Sequence, residues 1–219
     1  MRSRVALAVL ALSLWASGAM AGVIAGTISK GQGYATALGT AGGSTPARGL
    51  SDAVVYVEAI PAPVERKLAS HGFWIFRSTS PRVVGLVQAK RQFNPHLLAV
   101  AAGTRVAFHN FDDVYHSTFS VSAAKRFELG KRSPGRSDTV VFARPGAINL
   151  HCDIHPDMVG YVFVTPNHAF AHTDSLGRYR LPNLPPGTYR LHAFHPRWGE
   201  LQRTAQVPPR GGLTLDVAF

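Results

Sequence analysis

The chain has 219 residues, 46% hydrophobic and 16% charged, which is enough apolar material for one large or two small cores and excludes a solvated, disordered polymer. Its 23 Lys and Arg against 12 Asp and Glu give a formal charge of +11, a balance that favours anionic partners. The single cysteine, Cys152, excludes a disulfide within the chain.

The first segment, residues 1–21, has Arg2 and Arg4 ahead of the apolar run "VALAVLALSLWASG" and ends in Ala19-Met20-Ala21, the pattern of a cleaved secretory signal with cleavage after Ala21. The apolar run is shorter than the ~20 residues a bilayer span needs, and nothing later could cross one. The expected mature protein is therefore periplasmic or secreted, with no integral membrane segment. Outside the cytoplasm its positive charge meets anionic surfaces and acidic proteins, so nucleic acid is not an expected partner.

Residues 22–60 alternate strand-like stretches, "GVIAGTISKG" and "DAVVYVEAI", with the Gly-rich "GTAGGSTPARG". That loop lacks the Lys-Ser/Thr ending of a phosphate loop and reads as a flexible connection. Residues 61–82 read as a linker, with the aromatic "HGFWIF" expected to pack against a domain. From 83 to 165 the strands come densely: "TRVAFHNF", "DTVVFARPG", "AINLHC" and "GYVFVTP" are rich in β-branched and aromatic residues. Between them "AAKRFELGKRSPGR" gathers Lys125, Arg126, Lys131, Arg132 and Arg136, read either as a solvated loop or as a docking surface for an acidic partner. Residues 166–219 return to turn-rich strands, "GRYRLPN", "GTYRLHAF" and "LTLDVAF". No long helical stripe interrupts the series, and the expected fold class is all-β, a sandwich architecture.

The cysteine sits in "HCDIHPDM", at the end of a strand, with His155 and Met158 on the tight loop that follows. A thiolate, an imidazole and a thioether aimed at one small volume are one histidine short of a blue-copper set, and His116 in "VAFHNFDDVYHSTFSV" supplies it. The soft sulfur ligands suit Cu(I) and the imidazoles suit either oxidation state, so little has to reorganise on electron transfer. A metal-held thiolate also explains how an unpaired cysteine persists in an oxidising compartment. His151 should point to the opposite strand face from Cys152, and Asn110 should brace the ligand loop through hydrogen bonds.

The succession "FNPHLLAVAAGTRVAFHNFDDVYHSTFS", "FELG", "FARPGAINLHCDIHPDMVGYVFV" resembles the cupredoxin (plastocyanin-like) family across residues 83–165. Within it the chain is most similar to exported bacterial proteins of the methylamine utilisation type, in which "C-x-I-H-x-x-M-x-G-Y" precedes "T-D-x-x-G-x-Y-x-L-x-x-L-P-P-G-x-Y". The resemblance implies a Greek-key sandwich with one mononuclear type 1 copper on His116, Cys152, His155 and Met158, and single-electron transfer to a redox partner through the ring of His155. The short Cys-to-His and His-to-Met intervals imply a stronger axial Met158 bond or a more tetragonal site. The stretch "AHTDSLGRYRLPNLPPGTYRLHAFHPRW" resembles the carboxypeptidase regulatory-like module, a small transthyretin-like sandwich. Residues 166–219 supply half of such a module and residues 22–60 have the texture of the other half, so the cupredoxin-like part is expected to be inserted in, or packed against, this second sandwich.

Other histidines, His168, His172, His192 and His195, are read as solvent-facing or turn residues rather than a second metal site. Trp198 in "FHPRW" is expected to pack across an end of the sandwich. The adjacent Asp112 and Asp113 point apart in an extended chain, and no G-x-S-x-G or H-E-x-x-H motif is present, so no enzyme is expected. The competing functions are a copper carrier or storage protein with the same ligands, and a scaffold or glycan-binding sandwich without redox chemistry.

Overall fold

The computed structural model describes residues 22–31, 49–71 and 83–219. The signal-like segment, the Gly-rich stretch through Arg48 and the aromatic residues 72–76 lie outside them. The elements in chain order are β1 (Val23–Ser29), β2 (Val54–Val57), α1 (Ala62–His71), β3 (Val83–Ala89), β4 (Gln92–Asn94), β5 (Leu97–Ala101), β6 (Thr104–Asn110), β7 (His116–Ser122), β8 (Lys125–Arg132) and β9 (Ser137–Phe142). They continue with β10 (Gly146–Cys152), β11 (Val159–Thr165), β12 (Phe170–His172), β13 (Arg178–Arg180), β14 (Gly187–His195), β15 (Gly199–Val207), β16 (Gly212–Thr214) and β17 (Val217–Ala218). The protein is all-β, with one short helix among the described residues.

The strands form four sheets, ordered β13-β1-β16 with β17 also on β1, β12-β2-β14-β15, β5-β11-β10-β7-β8, and β4-β3-β6-β9. The first two enclose one core, containing Ile24, Ile28, Val55, Val57, Leu191 and Val207. The last two enclose another, containing Leu86, Val106, Phe108, Phe142, Ile148, Leu150 and Val162. A third cluster, Val54, Tyr56, Leu97, Ala99, Phe163 and Phe194, joins the second sheet to the third, so the sheets stack as four layers. Strand alternation explains this arrangement. On β2 the sequence Val-Val-Tyr-Val is buried throughout because Val55 and Val57 face the first core while Val54 and Tyr56 face the third. On β11 Val162 and Val164 face inward while Phe163 faces the neighbouring sheet. Such doubly buried strands read as unbroken apolar runs.

Strand pairing divides the chain sharply. β1 pairs with β13, β16 and β17, and β2 pairs with β12 and β14. The strands from Val83 to Thr165 pair only with one another. Where a linker was expected, α1 forms. Pro63 suits a first helical turn, Glu65 meets the positive end of the helix, and Val64 and Leu68, four apart, pack on the first core. Glu65 also accepts the His168 backbone N–H at 3.0 Å and sits 2.6 Å from its Nδ1. An apolar stripe of two residues is too short to register as helical periodicity.

At the seam between the second and third sheets, His172 on β12 accepts the Ala99 N–H of β5 at its Nε2, 3.1 Å away. Burial disfavours the imidazolium, only partly offset by the nearby Asp52 carboxylate, and the His172 pKa lies below the ordinary histidine value. The unfolded chain therefore takes up this proton at a higher pH than the folded one. Between the two values the unfolded state holds more protons, so stability is expected to fall as pH drops below about 6.5, and the contribution is complete above it. Urea midpoints across pH 5 to 8 should show this slope in the wild type and a shallower one in His172→Gln, whose amide oxygen can still accept from Ala99.

Candidate metal centre

Strands β7 and β10 bring the ligand-type residues together. They run antiparallel with Cys152 opposite Thr118, which places the last residue of β10 beside the first turn-side residues of β7. A register shift between Ser117 and Phe119 breaks the usual alternation, so His116, Ser117 and Thr118 are all buried. The loop after Cys152 closes on itself: Cys152 N–H donates to Met158 O at 3.2 Å and Met158 N–H to His155 O at 2.9 Å. Asp153 N–H ties the loop to Ser117 O at 2.9 Å. Beyond it, a Cβ on Gly160 would lie 2.7 Å from the Phe93 Cβ, so only glycine fits where the returning strand crosses β4.

Within this frame Cys152 Sγ lies 3.7 Å from His116 Nδ1 and 3.6 Å from His155 Nδ1. The three donor atoms fall within 4.8 Å of one another, the one such group of His, Cys, Asp or Glu among the described residues. Metal bonds of about 2.3 Å to sulfur and 2.0 Å to nitrogen, at angles between tetrahedral and trigonal, put the donors ~3.5–3.8 Å apart. The two observed spacings fit a soft-to-borderline ion held among them. Met158 is buried at 1% exposure in the same cluster as Cys152. Ser117 N–H points at the Cys152 sulfur at 3.4 Å.

His116 is 1% exposed and its distal Nε2 lies 2.8 Å from Asp112 Oδ2. Partial burial alone would raise the Asp112 pKa, but N–H groups of Arg91, His116 and Lys90 outweigh it and hold the carboxyl below its usual range. His155 is partly exposed, edge-on to His116 with ring centroids 4.9 Å apart. Desolvation, reinforced by the His116 and Arg91 charges and opposed by Asp112, lowers its pKa, keeping the ring in the neutral form a metal requires.

No family model matches the chain, and no curated protein matches it. Among solved structures, a purple cupredoxin from Nitrosopumilus maritimus aligns at 24% identity and a TM-score of 0.34, over 37% of this chain and 99% of the other. A reduced amicyanin variant aligns at 20% identity and a TM-score of 0.36, over 50% of this chain and 97% of the other. A copper-containing nitrite reductase from Thermus scotoductus aligns at 25% identity and a TM-score of 0.38, over 44% of this chain but 26% of the reductase.

Of the neighbouring polar residues, Asn110 is buried and ties the 111–115 loop to β8: Nδ2 donates to Val114 O at 2.8 Å and Arg132 O at 3.1 Å, while Oδ1 accepts Asp112 N–H at 3.0 Å. His151 faces away from the sulfur, its ring 5.6 Å from that of Phe119. His109 lies by Phe111. His168, His172, His192 and His195 each have separate partners: Glu65, the Ala99 N–H, Glu58 with Glu200, and the Arg197 N–H. Trp198 lies under Lys30 and Arg197 at a turn. Sequence reasoning missed Asp112, whose one available signal was its position four residues before His116, and the Lys90–Arg91 turn that it contacts. The basic residues of 125–132 lie on β8, an edge strand, where Arg132 is bound to Asp138 at 2.5 Å.

Proposed function

We propose that the protein is an exported type 1 copper protein of the cupredoxin kind that shuttles single electrons between redox partners. The observation that carries this reading is the convergence of His116 Nδ1, Cys152 Sγ and His155 Nδ1 at metal-ligand spacing, two of the three buried and the third at the protein surface. His116, Cys152, His155 and Met158 would hold the ion through two imidazoles, a thiolate and a thioether. Copper would supply a one-electron couple. The chain's own residues supply the rest: β7 and the closed Cys152–Met158 loop hold the donors in one arrangement for both oxidation states, and Ser117 N–H points at the sulfur.

Residues 83–165 are the copper-binding unit on this reading, inserted between residues 22–60 and 166–219, which together form the transthyretin-like sandwich; the pairing of β2 with β12 and β14 supports it. Electrons would leave through the partly exposed edge of His155. Phe111, Tyr115 and Ile154, all large and exposed, adjoin the ligand segments in sequence, and the exposed Arg126 and Lys131 of β8 would attract an acidic partner. No catalytic reaction is assigned. Among the described residues no helix is long and apolar enough to cross a membrane.

The test is the visible and electron paramagnetic resonance spectrum of the Cu(II)-loaded protein, with Cys152→Ser beside it. An intense thiolate-to-copper band with narrow hyperfine splitting is expected, and both should vanish in Cys152→Ser. A pale spectrum indifferent to Cys152 would overturn the reading, and loss of copper on reduction would turn it into a carrier.

A further inference from the structure

The hairpin turn between β3 and β4 consists of Lys90 and Arg91, whose φ angles are 55° and 56°. Two-residue hairpin turns need this left-handed backbone at both positions, and Asn-Gly supplies it at least cost. Two long cationic side chains supply it only where the surroundings hold them there. What holds them is Asp112. Its Oδ1 accepts Lys90 N–H at 2.5 Å, its Oδ2 accepts Arg91 N–H at 2.9 Å, and the same Oδ2 faces His116 Nε2. Asp112 is fixed in turn by Asn110, and the chain beside it by the bond from Phe111 N–H to Gln88 O at 2.9 Å.

We propose that Asp112 is the positioning residue of the metal centre: one carboxylate sets the tautomer and tilt of His116 and locks the Lys90–Arg91 turn, so that ring and turn move as a unit. An ionised carboxylate only accepts hydrogen bonds, so His116 must carry a proton on Nε2, and in the neutral ring this leaves the Nδ1 lone pair directed toward Cys152. A single backbone carbonyl could orient the ring, but two carboxylate oxygens are needed to hold the adjoining turn as well. The functional meaning rests on the copper reading, whereas the geometry can be tested without metal.

The experiment uses the metal-free full chain, reading the His116 ring by long-range proton–nitrogen correlation and the Lys90 and Arg91 amides by hydrogen exchange. The wild type should show a proton on Nε2 and two protected amides. Asp112→Ala should mix the tautomers and speed both exchanges roughly tenfold or more. Asp112→Asn keeps one accepting oxygen and should retain the tautomer while loosening one turn amide. Combining Asp112→Ala with Lys90→Asn and Arg91→Gly, a pair that favours the turn by itself, should restore turn protection and leave the tautomer mixed. A proton on Nδ1 in the wild type, or an Asp112→Ala variant unchanged in tautomer and exchange, would overturn the proposal. So would recovery of the tautomer in the triple variant, which would make the turn the orienting element. Copper retention is a separate readout, expected to weaken ~10–100-fold in Asp112→Ala. A wild type without a thiolate band would remove the copper reading and leave the tautomer result standing.

Discussion

Phe163→Ala is expected to lower stability by about 3–5 kcal/mol and to split a single unfolding transition into two. Phe163 is 3% exposed and belongs to neither of the two sandwich interiors. Its ring stacks on Phe194 at 4.3 Å and tilts against Tyr56 at 5.4 Å, the central contacts of the cluster between the second and third sheets. Alanine would leave a void at this seam with both interiors intact. The coupling between sandwiches should weaken more than either sandwich does, and calorimetry would resolve two peaks. Leu150→Ala, which hollows the interior holding Cys152, serves as the control and should lower stability mainly in the transition of residues 83–165. One sharp transition in Phe163→Ala, at the wild-type temperature, would refute the expectation.

Asn110→Ala should cost about 2–3 kcal/mol, because it strands two part-buried carbonyls, those of Val114 and Arg132, and frees the Asp112 N–H. The loss propagates to His116, since Asn110 spans the 111–115 loop that leads to it. Asn110→Asp should be worse, because a carboxylate would face two carbonyl oxygens with no proton to share between them. Urea midpoints give the stability, and on the copper reading proposed above the rate of copper release to a chelator should rise in the order wild type, Ala, Asp. Equal midpoints for all three would contradict the bracing role.

The strands and the proximity of Cys152 to His155 were legible in the sequence for the same reason: each depends on residue type at short spacing. "DAVVYVEAI" reads as a strand because β-branched and aromatic residues run together, and Cys152, His155 and Met158 declare themselves within seven residues. The bracing by Asn110 was legible too, from a polar side chain beside a ligand loop in a strand-rich context. What lay hidden depends on tertiary pairing. Lys90-Arg91 carries no turn signal, because its left-handed backbone is held by a carboxylate 21 and 22 residues away. Asp112 looked like half of an ineffectual acid pair until the hairpin closed over it. Helix α1 was hidden by its size, its burial resting on Val64 and Leu68 and its anchoring on Glu65 meeting His168 across the sheet.

The pairing of β1 bears on the order in which the molecule can assemble. Synthesis from the N-terminal side presents Val23–Ser29 well before the strands that flank it, β13, β16 and β17, which begin at Arg178. Residues 83–165, whose strands are self-sufficient, can close while β1 still waits with Ile24 and Ile28 uncovered and its edges unpaired. Strands β13, β16 and β17 therefore act as a clasp on β1. Truncation before Gly212 would cost far more than its length suggests, because it removes β16 and β17, two of the three strands that pair with β1, and leaves one edge of β1 bare and prone to aggregate.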